Sequence, residues 1–408
     1  MNKSIKICIV CVICISFSFI FSVKGQQLNE TYLYAKADMM LEQYSEAGQK
    51  ILSIPVRERT SAMYLTLGES YYHTGDYANS ARFFAVADSV SSNPEAQLSA
   101  ARSYAMMREP AKAVEWLQRY LLQRDKISES EISLDPAFEN IERSREWRDL
   151  WNSREWYSVA ERREEEVAAL IRRNRHTDAL IILDAEIANR TSSSRFYVLR
   201  AKVYEAMEQY APAHENAQTA IRMRSTVPEY LADAANIAVH AQRYDIALEN
   251  INRAVRLDPY NLNLYLQRAN ILRLNRRFDD ARNDLNFYFK YLPEDKNALF
   301  QMGMTETDAG NPFVGIQYFN RLIDRDKSSP DFFMARARAH FMSNNLALAD
   351  HDISQSLDLN PTLPEALHNK GIILHRENKL EDACHFWRRA LGMGYRESAD
   401  FIYRHCIR

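Results

Sequence analysis

The chain has 408 residues, of which only 10 are Gly and 12 are Pro; average usage would give roughly 29 and 20. Turn-rich folds consume Gly, so a β-barrel, a β-sandwich or a Gly-looped nucleotide-binding sheet is excluded, as are collagen and low-complexity disorder. A net charge of −2, with 46% hydrophobic and 26% charged residues, describes a folded, mostly helical body with no general attraction for nucleic-acid backbones.

In chain order, Lys3 and Lys6 precede an uncharged run from Ile7 to Val23. This pattern predicts a secretory signal over 1–25, cut between Gly25 and Gln26. An uncleaved membrane anchor is the alternative, because the run sits at the lower limit for spanning. Cys8, Cys11 and Cys14 follow Ile7, Val10 and Ile13 rather than small residues, so a lipoprotein signal is not expected. Without 1–25 the body carries a charge of −5, and its basic groups are mostly Arg, 39 against 13 Lys in the whole chain. The predicted location is exported: periplasmic or outer-membrane-associated. Any membrane contact then runs through partners or through an uncleaved N-terminus.

Residues 26–124 show three units at a period of 33. The first holds Ala35, Tyr44, Ala47 and Ile51; the second holds Gly68, Tyr71, Gly75-Asp76-Tyr77, Phe84 and Ala87; the third holds Ala101, Tyr104, Ala113 and Leu117. An aperiodic stretch, 125–159, follows. It contains three of the five Trp (Trp147, Trp151 and Trp156), and Asp135-Pro136 reads as a helix start. Residues 160–393 hold seven units at a period of 34. The weakest is the first, with Val167, Ala179 and Leu183. The clearest carries Tyr265, Ala269 and Leu272, then an Arg276-Arg277-Phe278 turn, then Ala281, Leu285 and Tyr288. Gly303, Gly310-Asn311-Pro312 and Phe319 repeat that phase, as do Ala337, Leu346 and Ile353, and Gly371, Leu380 and Trp387. Gly392-Met393-Gly394 breaks the last helix. Residues 394–408 read as a capping helix with Ala399, Ile402 and Tyr403 inward.

Small residues where helices cross, an aromatic in the turn and Pro at the unit's end, at this spacing, resemble the tetratricopeptide repeat. The resemblance implies an all-α fold: a right-handed superhelical α-solenoid of about ten helix–turn–helix repeats, with a short helical insert and a C-terminal cap. It also implies that the first helix of each repeat lines a concave, protein-binding face. Carried onto this sequence, that face is Leu266, Asn270, Arg273 and Leu274, then Phe300, Met304 and Thr307. Met334, Arg338, Phe341 and Met342 follow, then His368, Ile372, His375 and Arg376. The family's carboxylate clamp is not matched, because Ala232 and Leu266 stand where Lys is expected beside Asn236 and Asn270.

No catalytic constellation is present: no G-x-G-x-x-G, no G-x-S-x-G, and no C-x-x-C after residue 25. His368 and His375 are seven apart rather than four, so neither a metal nor a cofactor is expected. Cys384 and Cys406 are placed for one disulfide in an exported protein, with two buried thiols as the alternative. The reading is a non-enzymatic scaffold or adaptor of a bacterial cell envelope. It binds partner proteins or extended peptides, as in assembly of a secretion, motility or surface complex. A receptor for a glycan or small molecule, using the Trp-rich insert, is the alternative.

Overall fold

The computed structural model describes residues 29–124, 126–189 and 193–406; the expected signal segment lies outside them. All regular structure among these residues is helical. The chain divides into two compact units, one comprising the residues up to Ala241 with Arg256–Leu262, the other Gln242–Val255 with Asn263–Arg408.

The first unit opens with α1 (29–40) and α2 (Tyr44–Ser53), α3 (Ser61–His73) and α4 (Tyr77–Val90), α5 (Pro94–Met106) and α6 (Pro110–Leu121). The insert follows as α7 (Glu129–Ser133), a 3-10 turn at Pro136–Phe138 and α8 (Arg145–Ser153). Then come α9 (Val159–Arg172) and α10 (His176–Ala188), α11 (Ser194–Ala206) and α12 (Tyr210–Met223), and α13 (Pro228–His240). The second unit takes in α14 (Tyr244–Leu257), α15 (Leu262–Leu274) and α16 (Phe278–Phe289), α17 (Lys296–Asp308) and α18 (Pro312–Arg325), and α19 (Pro330–Met342) and α20 (Leu346–Leu359). It ends with α21 (Pro364–Arg376), α22 (Leu380–Gly392) and α23 (Ser398–His405).

Several helix starts are capped by short polar side chains. Thr60, Asp76, Asn93 and Asp295 each accept the backbone N–H three residues on, and Ser158 forms a capping box with Glu161. The turns inside the pairs share one device that the sequence does not advertise. Glu42, Gly75, Arg108, Asn174, Glu208, Gln242, Arg276, Gly310, Asn344 and Asn378 all have positive φ, between 55° and 87°. The residue after each generally returns its N–H to the preceding helix, as Asp76 does to Tyr71 O (2.9 Å) and Gln209 to Tyr204 O (2.8 Å). This is the Schellman closure, and eight of its ten left-handed positions carry a residue other than Gly.

Where paired helices cross, volumes are matched. A Cβ built on Gly68 would sit 2.6 Å from the Phe84 ring; on Gly303, 2.5 Å from Phe319; on Gly371, 2.5 Å from Trp387. Repeats with Ala at that position carry a smaller partner sixteen residues on, as in Ala101 and Leu117, Ala269 and Leu285, and Ala337 and Ile353, all buried.

The insert is core rather than decoration. Phe138, Trp147, Leu150 and Tyr157 pack with Leu117 and Tyr120 of α6. Tyr120 Oη accepts the Ile127 N–H (2.7 Å), while Tyr157 Oη donates to Ile127 O (2.8 Å). Asp135 caps only the short 3-10 turn, and it also takes the guanidinium of Arg102 (2.6 Å).

The capping helix departs from expectation. It spans Ser398–His405, and Ala399 and Tyr403 face outward, Tyr403 being 75% exposed. Starting at Ser398, the inward stripe runs through Phe401, Ile402 and Cys406 at helical spacing. Cys384 of α22 and Cys406 are joined, with Cα atoms 5.7 Å apart.

Candidate functional site

The inner helices of the second unit carry the expected groove residues. α19 and α21 both line an open cavity of about 400 Å3. Met334, Arg338, Phe341 and Met342 come from α19 and Ile372 from α21. Ile353 of α20 and Ile373 form the floor, and Glu365 and Asn369 the polar rim. Met334 and Phe341 lean on the buried Ala337, Ile353 and Ile373, which leaves Met342 47% exposed at the mouth. The Arg376 guanidinium lies 4.1 Å from the centre of the Phe341 ring, so it is held over the groove edge without a carboxylate.

Arg338 is tied back. Its Nη2 donates to Asp308 Oδ1 (2.6 Å), while Arg273 Nη1 donates to Asp308 Oδ2 (2.6 Å) and Arg273 Nη2 to Asn270 Oδ1 (2.9 Å). Asn270, Arg273 and Arg338 are therefore one polar ladder crossing α15, α17 and α19, with its charges largely compensated. Leu266 and Met304 are half-buried, and Phe300 packs against Phe319 and Phe332 with ring centres about 6 Å apart.

Three expected groove residues lie elsewhere. Thr307 is fully buried and donates to Gly303 O (2.8 Å), so it belongs to the helix crossing. His368 is 4% exposed; its Nδ1 meets Ser398 Oγ (2.8 Å), and its ring sits between Tyr395 and Phe401. Burial holds that imidazole below the usual histidine range. His375 lies at a tilt against Trp387 and His405, with ring centres 5.7 and 4.3 Å away. In the last repeat the cap occupies the face that inner-helix side chains would otherwise offer to solvent.

The Trp-rich insert presents no indole platform. Trp147 is buried, Trp151 stands edge-on to it at 5.7 Å, and Trp156 Nε1 donates to Leu150 O (2.9 Å). No group of three or more His, Cys, Asp or Glu among the described residues is placed to hold a metal ion. No helix among them is long and apolar enough to cross a membrane.

The helix pairs, their 34-residue grid and their small-to-large crossings find a direct match: residues 198–262 fit the family model for the tetratricopeptide repeat. Those residues are similar to the tetratricopeptide repeat. Tetratricopeptide repeat protein 16 of Homo sapiens is 22% identical over 271 residues, covering 58% of this chain and 31% of that protein. A DnaJ protein P58IPK homolog of Arabidopsis thaliana is 32% identical over 68 residues, 17% of this chain and 14% of that one. The chain thus spans about a third or less of the curated relatives it matches. Among solved structures, a tetratricopeptide repeat protein from Parabacteroides merdae superposes with a TM-score of 0.54 at 16% identity, covering 59% of this chain and 94% of that one. That likeness concerns the tetratricopeptide fold alone.

Proposed function

We propose that this chain is a non-enzymatic scaffold that binds a partner protein through the groove of its second unit. The observation that carries the reading is the cavity that α19 and α21 both line. There, five side chains expected to line a binding face (Met334, Arg338, Phe341, Met342 and Ile372) converge around about 400 Å3 of open space. Met side chains adapt to varied apolar partners, and a rim with Arg376 and Asn369 can fix the direction of a peptide. The N-terminal Lys-flanked apolar run supports export, and so an adaptor at the periplasm or outer membrane of a bacterial envelope. Assembly of a secretion, motility or surface complex would need such a long, multivalent surface.

The test places a photo-crosslinking residue at Met342 in the cell. Adducts are then compared with those from the same residue at Met223, an exposed position of the first unit. A partner trapped from position 342 alone, and lost in a Met334→Asp, Phe341→Asp variant of unchanged helicity, is the expected result. Equal trapping at both positions, or capture that survives the double substitution, overturns the assignment. Fractionating cells that express the full chain tests the location: recovery in the cytosol with residues 1–25 still attached refutes export.

A further inference from the structure

The N-terminal repeats and the insert line a second open cavity, of about 800 Å3, that shares no residue with the groove. Most of its charges are spent on the fold. Asp135 accepts from Arg102 and caps the 3-10 turn. Glu131 Oε2 takes both the N–H (2.9 Å) and the hydroxyl (2.8 Å) of Ser128. Glu95, in the first turn of α5, is exposed.

Glu69 of α3 differs from these. It lines the cavity, is half-buried, and has no hydrogen-bond or ion-pair partner among the described residues. Lys36 of α1 acts on it only at a distance, without pairing. Burial pushes this carboxyl up to about 7, and Glu95 adds in the same direction. A half-buried carboxylate without a partner is one that a cation entering the cavity would meet at low cost.

The walls around Glu69 suit a cation. Tyr44 stacks flat on His73 (ring centres 4.2 Å apart, planes 11° apart), and Tyr72 stands edge-on to Tyr77 at 5.4 Å. Tyr44 and Tyr72 both line the cavity, with half-buried rings. Tyrosine faces attract an ammonium or guanidinium, and the carboxylate supplies the counter-charge. Cavities of about 300–1,000 Å3 hold ligands well beyond the size of a simple amine. An alkyl cation would therefore occupy one end only, leaving room for the chain that bears it.

We propose that this cavity receives a lysine or arginine side chain of a partner polypeptide, with Glu69 as the counter-ion and Tyr44 and Tyr72 as flanking faces. The site stands apart from the groove reading, since neither set of residues appears in the other and each is tested by its own variants.

The experiment uses the full chain and fluorescein-labelled nine-residue peptides of Gly, Ser and Ala with a central Lys, Arg, norleucine or Glu; free cadaverine serves as the small-amine arm. Fluorescence anisotropy is expected to show the Lys or Arg peptide binding at least tenfold tighter than the norleucine peptide, with the Glu peptide weakest. Glu69→Gln should erase that preference while the helical circular-dichroism signal is retained and melting is no lower than the parent's, and Tyr72→Leu should weaken the cationic peptide severalfold. Equal binding of the norleucine peptide, or a Lys preference that survives Glu69→Gln, overturns the proposal. Binding of cadaverine with none of any peptide assigns the cavity to small amines and overturns it equally.

Discussion

Tyr260 Oη donates a 2.6 Å hydrogen bond to Asn29 Oδ1, although 231 positions separate the two residues. The ring of Tyr260 also meets that of Tyr32 edge-on at 5.0 Å. Tyr32 is buried, its hydroxyl is 3.3 Å from that of Thr66, and burial pushes its pKa up to about 12. The loop 258–261 therefore holds down the first helix. Tyr260→Ala should cost about 1–3 kcal/mol and should raise amide exchange selectively over 29–41. Tyr260→Phe should cost about 1 kcal/mol, because the ring contact stays and only the hydrogen bond is lost. Exchange over 29–41 that matches the parent in the Ala variant would show that the latch contributes nothing.

The crossing glycines make a steric prediction. Gly303→Ala puts a methyl group into the Phe319 ring, and α17 and α18 must part to admit it. Overpacking of this kind costs about 1–3 kcal/mol. A second substitution, Phe319→Leu, supplies the volume that the Ala repeats use at this position and should recover part of the loss. Denaturation of the single and double variants measures both effects.

The left-handed turn residues predict the opposite sign. Glu208 and Arg276 sit at φ 58° with no Gly to ease the strain. Glu208→Gly and Arg276→Gly should each leave the helices intact and stabilise by up to ~1 kcal/mol, because the left-handed conformation costs about that much for a residue with a Cβ. A fall in melting temperature for both would mean that their side chains contribute more than their backbones cost.

Acidity should act oppositely at the two ends. Glu69 has a folded pKa of about 7, above its ordinary 4.5. Between those values the folded chain holds a proton that the unfolded chain has lost, so this contribution to stability falls as pH rises and levels off above 7. Glu69→Gln should remove that slope and stabilise the protein at pH 8 by on the order of 1–3 kcal/mol. His340 and His368 are held below the usual histidine range, mainly by burial. Their contribution is present above about pH 6.5 and is lost on acidification, because the unfolded imidazole takes a proton first. Hydrogen exchange at pH 5.5 and 8 should therefore show α21–α23 loosening in acid while α3 tightens.

Asp352 is almost wholly buried and receives a fork from Arg336 (Nε to Oδ2 2.8 Å, Nη2 to Oδ1 2.6 Å). Asp352→Ala leaves that guanidinium with Asn320 Oδ1 alone (2.7 Å) and should cost about 3 kcal/mol, whereas replacing both partners with apolar residues should cost far less. A double-mutant cycle on the two positions reads the difference.

The repeat grid was readable from residue types because packing wrote it. Gly68 with Phe84, Gly303 with Phe319 and Gly371 with Trp387 recur sixteen apart, a spacing that only paired helices require. The turns were only partly readable. Gly75 and Gly310 announce a left-handed residue, but Glu208, Gln242 and Arg276 do not, and only their 34-residue step and the Tyr or Phe two positions on give them away. At the candidate groove, Met334, Phe341 and Met342 line a cavity that α19 shares with Ile372 of α21. His368 and His375 sit at equivalent phase, but the cap that follows them supplies Ser398, Tyr395 and His405 as partners. A period describes what repeats, and the last unit is where repetition stops. Ala399 and Tyr403 were misplaced for a related reason: the inner stripe of so short a helix depends on its first residue, and no cap residue marks Ser398 in the sequence.

The matched volumes also bear on how many repeats this chain can hold. Arg276 and Gly310 close their turns with the same handedness, so removing 277–310 would rejoin two compatible backbone ends. The new neighbours would be Ala269 and Phe319, and Phe319 fits against a position that has no Cβ at all. A single methyl group would then stand in the way of a shorter chain, and Ala269→Gly is the change that would clear it. Unequal recombination between such similar units is thus checked by the side chains at each crossing, which give otherwise interchangeable modules a fixed place in the order.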